Sequence, residues 1–177
     1  QLECYLDPIW IEAARAALPD GPSYIGLSPG AGGLPKCWPL EKFIELARQQ
    51  VSLGRQPVFI LGPQELDWHK EIAAAVPEAL FPLQDKGLGA VHKFAPALTM
   101  ALAQRLALAV SNDSGTGHMF ATGGAKLISL FGRTVPEKFT PMAASLTIIR
   151  AQDYGGREMH FIPVETVAEA IEAVLAG

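Results

Sequence analysis

Cysteine and metal-binding patterns are scarce in this 177-residue sequence. Its two cysteines, Cys4 and Cys37, are far apart and show no metal-binding spacing. Two cysteines are too few for a disulfide framework, which points to a reducing compartment. The four histidines form no H-x-x-x-H pair and no cluster with aspartate. We therefore expect a cytoplasmic protein that holds neither a metal ion nor a tightly bound cofactor.

Long apolar runs and a strong charge of one sign are also missing. No stretch approaches the ~20 continuous apolar residues of a membrane span, and the first residues lack the basic-then-apolar layout of a signal peptide. Peripheral attachment to the inner membrane through another part of a longer protein is left open. Hydrophobic residues make up 49% of the chain and charged residues 18%, which excludes a disordered protein. The net charge of −4 argues against nucleic-acid binding but is compatible with one local anion pocket.

Three common nucleotide-binding or catalytic signatures are absent as well. The sequence contains neither G-x-x-x-x-G-K-[ST] nor G-x-G-x-x-G, so the usual nucleotide-binding loops do not apply. Ser114, His118 and Asp113 are the residue types of a hydrolase triad, but no G-x-S-x-G surrounds the serine. A serine and a histidine four residues apart at one helix start seldom reach triad geometry. A hydrolase is therefore not expected.

What the sequence does contain is a regular alternation of apolar strand patterns and helical patterns. Strands are predicted at residues 24–27, 57–61, 79–83, 106–110, 126–131 and 146–149, and helices at 8–18, 39–54, 65–76, 96–105, 115–122 and 164–175, with a polar loop at 84–93. Strands that are apolar throughout and alternate with helices predict a three-layer α/β domain, a Rossmann-like parallel sheet covered on both faces. We expect a single domain over 1–177, with a leading segment at 1–22 and the core at 23–177.

The stretch from Val110 to Phe120, V-S-N-D-S-G-T-G-H-M-F, predicts a strand that turns directly into a helix. Asp113 and Ser114 are good N-cap types, and glycines follow them closely. The first helical amides have no partner within the helix, so this corner attracts phosphate oxygens. His118 would project from the first helical turn toward such an anion. A capped helix start with a partly buried histidine explains this segment equally well.

Two further residues lie at the same predicted edge, because ligands bind at the carboxyl ends of parallel strands. Lys36, in a glycine-rich loop after the first strand, could neutralise a phosphate or a diphosphate leaving group. Glu65, after the second strand, could accept hydrogen bonds from ribose hydroxyls. The alternatives are a solvated lysine and a first-turn glutamate that stabilises its own helix. Arg133 and Thr134, after the fifth predicted strand, could touch the same ligand.

Three motifs resemble the carboxyl-terminal half of the bacterial heptosyltransferases, glycosyltransferase family nine. They are K-C-W-P at residues 36–39, V-S-N-D-S-G-x-x-H at 110–118 and F-G-x-T-x-P at 131–136. The resemblance extends from about residue 24 to residue 176 and implies one half of a GT-B fold, in which two Rossmann-like halves face a cleft. It further implies an ADP-heptose donor, a lipopolysaccharide core acceptor, inversion at the anomeric carbon and no metal requirement.

The resemblance also assigns roles to individual residues. Lys36 would bind the donor phosphates and assist departure of the diphosphate, and Glu65 would contact the ribose. The remaining donor-binding residues implied are Asp113, Ser114, Gly115, Thr116, His118 and Thr134. The family's general base is an aspartate of the amino-terminal half, which this chain lacks, so the chain alone is expected to bind donor with little turnover. A non-catalytic nucleotide-binding module is the alternative function. Arg133 stands where the family often has proline, and the 84–93 loop is longer than usual.

Overall fold

The computed structural model describes residues 6–133 and 145–177. Within them the chain forms a five-stranded sheet in the order β2-β1-β3-β4-β5, and every neighbouring pair of strands is parallel. The strands are β1 Tyr24–Ser28, β2 Gln56–Phe59, β3 Leu108–Asn112, β4 Leu127–Phe131 and β5 Leu146–Arg150. The predicted α/β class with a parallel sheet is confirmed.

Helices cover both faces of this sheet. They are α1 Pro8–Ala17, α2 Leu40–Ser52, α3 Leu66–Ala75, α4 Leu88–Val91, α5 Pro96–Ala103, α6 Gly115–Thr122 and α7 Val164–Ala176. One apolar cluster contains residues of α2, α3 and α7, and a second cluster contains residues of α1, α5 and α6. Alternate strand residues enter the two clusters, so β1, β3 and β4 are buried along their whole length. This double burial explains why the strands read as continuous apolar runs.

Two predicted segments differ from the structure. Residues 79–83 form no strand; a single parallel bridge joins Leu80 to Val58. Pro82 has no N–H to donate, which limits the ladder at this point. Residues 84–93 are not a plain loop, because a 3-10 turn at Asp85–Gly87 leads directly into α4.

The end of β3 also lies two residues beyond its predicted position. Ser111 pairs in register with Ser28 of β1 and Ser129 of β4, and Asn112 pairs with Leu130. Polar residues usually indicate the end of a strand, but here they continue it, because neighbouring strands satisfy the backbone and Asn112 finds buried partners for its side chain. The strand therefore carries a polar side chain into the edge where ligands bind in such sheets.

Across the described residues, no helix has both the length and the apolar character required to cross a membrane.

Candidate functional site at the carboxyl edge of the sheet

The corner between β3 and α6 forms as the sequence predicted. Asp113 donates its backbone N–H to Leu130 O at 2.9 Å, which extends the ladder by one bond beyond β3. Ser114 is the N-cap of α6, and its Oγ accepts from Gly117 N at 3.4 Å. Gly115 has open space around the position of an added Cβ. The start of α6 is therefore accessible at the sheet edge, with unpaired amides directed away from the helix.

Gly117 has a different role from Gly115. A Cβ added to it would lie 2.6 Å from Ser111 Oγ, so the first turn of α6 rests directly on β3. Ser111 is completely buried, and its Oγ has no hydrogen-bond partner among the described residues. Close packing against the strand, and not contact with a ligand, is what requires glycine at position 117.

The side chain of His118 is exposed on the first turn of α6. Its backbone is engaged in the helix, since its N–H donates to Ser114 O at 3.4 Å and its carbonyl accepts from Thr122 Oγ1 at 2.8 Å. The alternative of a partly buried histidine does not describe this residue. An exposed imidazole near the helix start is free to face an anion.

Asn112 connects the loop after β1 to the end of β3. Its Oδ1 accepts from Trp38 N at 2.9 Å, and its Nδ2 donates to Pro29 O at 3.0 Å and to Gly30 O at 3.3 Å. All of these bonds are buried, so the amide is held in one orientation. Sequence reasoning missed this role, although the polar pair Ser111 and Asn112 between an apolar strand and Asp113 was a signal for it.

Trp38 anchors the same loop from its other end. Its ring is completely buried against Phe43, and its Nε1 donates to Ile162 O at 3.0 Å. The ammonium of Lys42 donates to His160 O at 2.7 Å and to the same Ile162 carbonyl at 3.0 Å. These bonds tie the loop after β1 to the segment that precedes α7. Lys36, two residues before the tryptophan, thus extends from a firmly held backbone.

Lys36 and Asp113, 77 positions apart in the sequence, line one small cavity of about 150 Å³. We call this cavity the edge pocket. Among the described residues that line it, Lys36, Asp113 and Arg133 are charged, and the others are Pro35, Leu130, Gly132 and Met159. Ser114, Gly115, Thr116 and His118 follow Asp113 along the start of α6 and are not part of the wall. Thr134 lies outside the described residues.

Glu65 is near the edge pocket but does not line it. An added Cβ on Gly30 would lie 1.8 Å from Glu65 Oε1, and one on Gly62 would lie 3.3 Å from Oε2, so this half-buried carboxylate rests on the loops after β1 and β2. Burial raises its pKa above the ordinary value, while the backbone of Gly62 opposes the shift. Glu65 precedes α3 but makes no side-chain capping bond to it. The carboxylate therefore faces the loops at the sheet edge.

Cys37 lies close to the same carboxylate. Burial, and then the negative charge of Glu65, raise the pKa of its thiol. The Sγ is within 3.4 Å of Gly33 O. A raised pKa disfavours the thiolate, so nothing in these surroundings activates Cys37 as a nucleophile. In the part of the chain that the structure describes, no group of three or more His, Cys, Asp or Glu residues is placed to hold a metal ion.

Comparison with known proteins identifies relatives of this chain. The family model for glycosyltransferase family 9 (heptosyltransferase) matches residues 9–161. The lipooligosaccharide heptosyltransferase 2 of Haemophilus influenzae is 30% identical over 129 residues, which are 71% of this chain and 36% of the relative. The lipopolysaccharide heptosyltransferase 3 of Escherichia coli is 28% identical over 187 residues, covering 97% of this chain and 52% of that protein.

Solved structures with the same fold belong to the same group. A glycosyl transferase of family 9 from Veillonella parvula superposes with a TM-score of 0.83 at 22% identity, over 99% of this chain and 54% of the other. The ADP-heptose LPS heptosyltransferase II of Escherichia coli superposes with a TM-score of 0.79 at 24% identity, over 98% and 53%. At these identities the likeness establishes the fold. The chain spans about half the length of these structures.

Proposed function

The chain belongs to glycosyltransferase family 9, and from this premise we propose that it is the donor-binding half of an inverting, metal-independent glycosyltransferase. The donor would be a nucleoside-diphosphate sugar, ADP-heptose in the first instance, and the acceptor a hydroxyl of a lipopolysaccharide core. The acceptor would be bound by an amino-terminal half of the same protein, completing a GT-B enzyme. Such an enzyme would act in the cytoplasm.

The reaction transfers the sugar between two oxygens. The acceptor hydroxyl attacks the anomeric carbon on the face opposite the diphosphate, the new C–O bond forms, and the bond from the anomeric carbon to the diphosphate oxygen breaks. The electron pair of that bond leaves with the nucleoside diphosphate, and configuration inverts. A base in the other half takes the hydroxyl proton. Stabilising the charge that develops on the leaving diphosphate is then the task of this half.

The observation that carries the proposal is the meeting of Lys36 and Asp113 in the edge pocket, directly before the start of α6. The ammonium of Lys36 lines the pocket, and the first amides of α6, which follow Asp113 directly along the chain, add partial positive charge; both favour a phosphate group. Because the buried amide of Asn112 holds the two loops together, little rearrangement is required when the anion binds.

The remaining donor contacts follow from position along the edge. Ser114, Gly115, Thr116 and His118 lie on the exposed first turn of α6, where backbone amides and the imidazole reach the diphosphate and sugar. Glu65 lies on the β1 and β2 side, where a carboxylate can accept from two ribose hydroxyls. Thr134 is proposed as a further donor contact from its place in the motif at residues 131–136.

Calorimetry of ADP, UDP and their sugars against the chain tests this function. We expect ADP to bind and Lys36→Ala and His118→Ala each to weaken binding about tenfold, since a charge-assisted hydrogen bond contributes about 1.5–3 kcal/mol. Lys126→Ala is the matched control, because this exposed lysine lies at the opposite edge of the sheet. The proposal is wrong if no nucleotide binds at millimolar concentration, or if all three variants behave alike.

A further inference from the structure

Arg133 is the charged residue of the edge pocket that the proposed function leaves without a role. It follows β4 by two residues, at the same sheet edge as Lys36 and Asp113, and it is one of the residues that line the pocket. Its side chain is 72% exposed, so a ligand in the pocket can reach the guanidinium without displacing packed residues.

The position of this arginine is set on two sides. Its Nη2 donates to Glu158 Oε1 at 3.0 Å, and the guanidinium lowers the pKa of that carboxyl group. On its backbone side, a Cβ added to Gly132 would lie 3.0 Å from both Arg157 O and Met159 Sδ. The exit of β4 therefore packs closely against residues 157–159, and the same segment supplies the carboxylate that orients the guanidinium.

The charges of the pocket explain why a second cation matters. Lys36 contributes one positive charge and Asp113 one negative charge, so these two residues alone leave the wall close to neutral. Arg133 adds a second cation to the described wall, beside the Glu158 carboxylate that it contacts. A nucleoside diphosphate carries more negative charge than the monophosphate, and the cavity of about 150 Å³ far exceeds the ~10–15 Å³ that one water requires. The pocket thus offers two cationic side chains and room for a terminal phosphate.

We propose that Arg133 binds the terminal phosphate of the donor's nucleoside diphosphate, together with Lys36, and so determines the preference for a diphosphate over a monophosphate. The inference rests on the proposed function and adds a specificity-determining residue to it. Guanidinium has five N–H donors in a planar fork, so one edge can serve Glu158 while another serves a phosphate oxygen. In the reaction, this contact would strengthen as charge develops on the departing diphosphate.

The simpler alternative is that Arg133 only forms a surface ion pair with Glu158. Exposed pairs of this type contribute little to stability, and such a role gives no reason for a difference between two nucleotides. The alternative predicts that removing the guanidinium changes ADP and AMP affinity equally or leaves both unchanged. The two explanations therefore predict different ratios of the ADP and AMP dissociation constants after the guanidinium is removed.

The experiment measures ADP and AMP binding by calorimetry, at one fixed ionic strength, for wild type, Arg133→Gln, Arg133→Lys and the control Arg157→Gln. Arg157 is exposed in the same region and is not among the residues that line the edge pocket. Its substitution therefore removes one positive charge from the region without changing the pocket wall. We expect Arg133→Gln to weaken ADP binding about tenfold and AMP binding less than about twofold, with partial recovery in Arg133→Lys. Arg157→Gln should leave both constants unchanged.

An ADP-to-AMP ratio in Arg133→Gln equal to that of wild type would overturn this inference. If Lys36→Ala still weakens ADP binding in the same series, the proposed function stands and only the role of Arg133 is refuted. If wild type binds neither nucleotide, the proposed function fails and this inference fails with it. Thermal unfolding of each variant confirms that the compared proteins are folded.

Discussion

The two edges of the sheet differ in what they offer a ligand. At the amino ends of β4 and β5, beside the end of α7, lies an open groove of about 430 Å³. The described residues of its wall are mostly small and apolar, and Lys126 is the one charged side chain among them; the others are Ser145, Thr147, Ala170, Ala173, Val174 and Gly177. The edge pocket is smaller, at about 150 Å³, yet three charged side chains from three different loops line it.

The larger cavity therefore lies at the amino edge of the sheet, whereas the cavity lined by three charged residues lies at the carboxyl edge. Parallel strands explain the difference, because the loops that follow them converge at one edge and bring residues from distant parts of the sequence together. The described residues of the amino-edge groove show no such convergence of charged groups. Substitutions at the two edges should accordingly have different effects, and the following predictions are designed to break or sharpen this contrast.

The largest effect is expected from Asn112→Ala. The substitution leaves the Trp38 N–H and the carbonyls of Pro29 and Gly30 without their buried partner. Each such loss costs about 1–3 kcal/mol, so the free energy of unfolding should fall by about 3 kcal/mol or more. Urea unfolding measures this change, and calorimetry should show that ADP binding is lost even where the variant is folded. Ser145→Ala, at the amino-edge groove, is the control and should change neither quantity; equal effects at both edges would refute the contrast.

A smaller effect on stability is expected from Gly117→Ala. The added methyl group would meet Ser111 Oγ at 2.6 Å, although alanine favours a helix more than glycine does. We expect a net loss of about 1 kcal/mol, because crowding at the strand exceeds the gain in helix propensity.

The double variant Ser111→Ala with Gly117→Ala tests the cause. It removes the hydroxyl and leaves the Ser111 Cβ at 3.7 Å, an ordinary contact. Unfolding free energies should show the double variant to be more stable than Gly117→Ala alone. Additive effects of the two substitutions would mean that the close approach of α6 to β3 does not require glycine at this position.

The smallest effect on stability is expected from Glu65→Gln, and its size depends on pH. Burial raises the pKa of Glu65 above 4.5, so the folded state holds this proton more tightly than the unfolded state. Stability contributed by this group is therefore complete below pH 4.5 and is lost as pH rises through the folded pKa. Glu65→Gln should be slightly more stable than wild type at pH 7, and the difference should vanish near pH 4.

The same variant should bind ADP less tightly, since an amide offers fewer acceptors to the ribose hydroxyls than a carboxylate does. A gain in stability accompanied by a loss of affinity is the pattern expected of a functional residue. If Glu65→Gln lowers stability at pH 7 and leaves ADP affinity unchanged, the carboxylate stabilises the loops after β1 and β2 and does not bind a ligand.

Local patterns predicted most of the fold and part of the site. The helix at 115–122 coincides with α6, and the strand-to-helix corner lies where Asp113 and Ser114 indicated it. The meeting of Lys36 with Asp113 was also expected, because both follow strands of one parallel sheet. The strand proposed at 79–83 was wrong, since a single bridge joins Leu80 to Val58; the proline among these apolar residues was a signal against a strand that apolar character alone did not weigh. The role of Asn112 was missed because its partners are up to 83 residues away along the chain.

Apolar periodicity, caps and glycines along the chain were enough to predict a parallel α/β sheet and the edge at which we propose that a ligand binds. These features depend on interactions between residues close in sequence, which a linear pattern records. Which loops become neighbours depends on the order of the strands in the sheet. β1 pairs directly with β3, although β2 lies between these two strands in the sequence. Only this long-range pairing brings Lys36, Asp113 and Arg133 around one pocket and lets the amide of Asn112 hold two loops together.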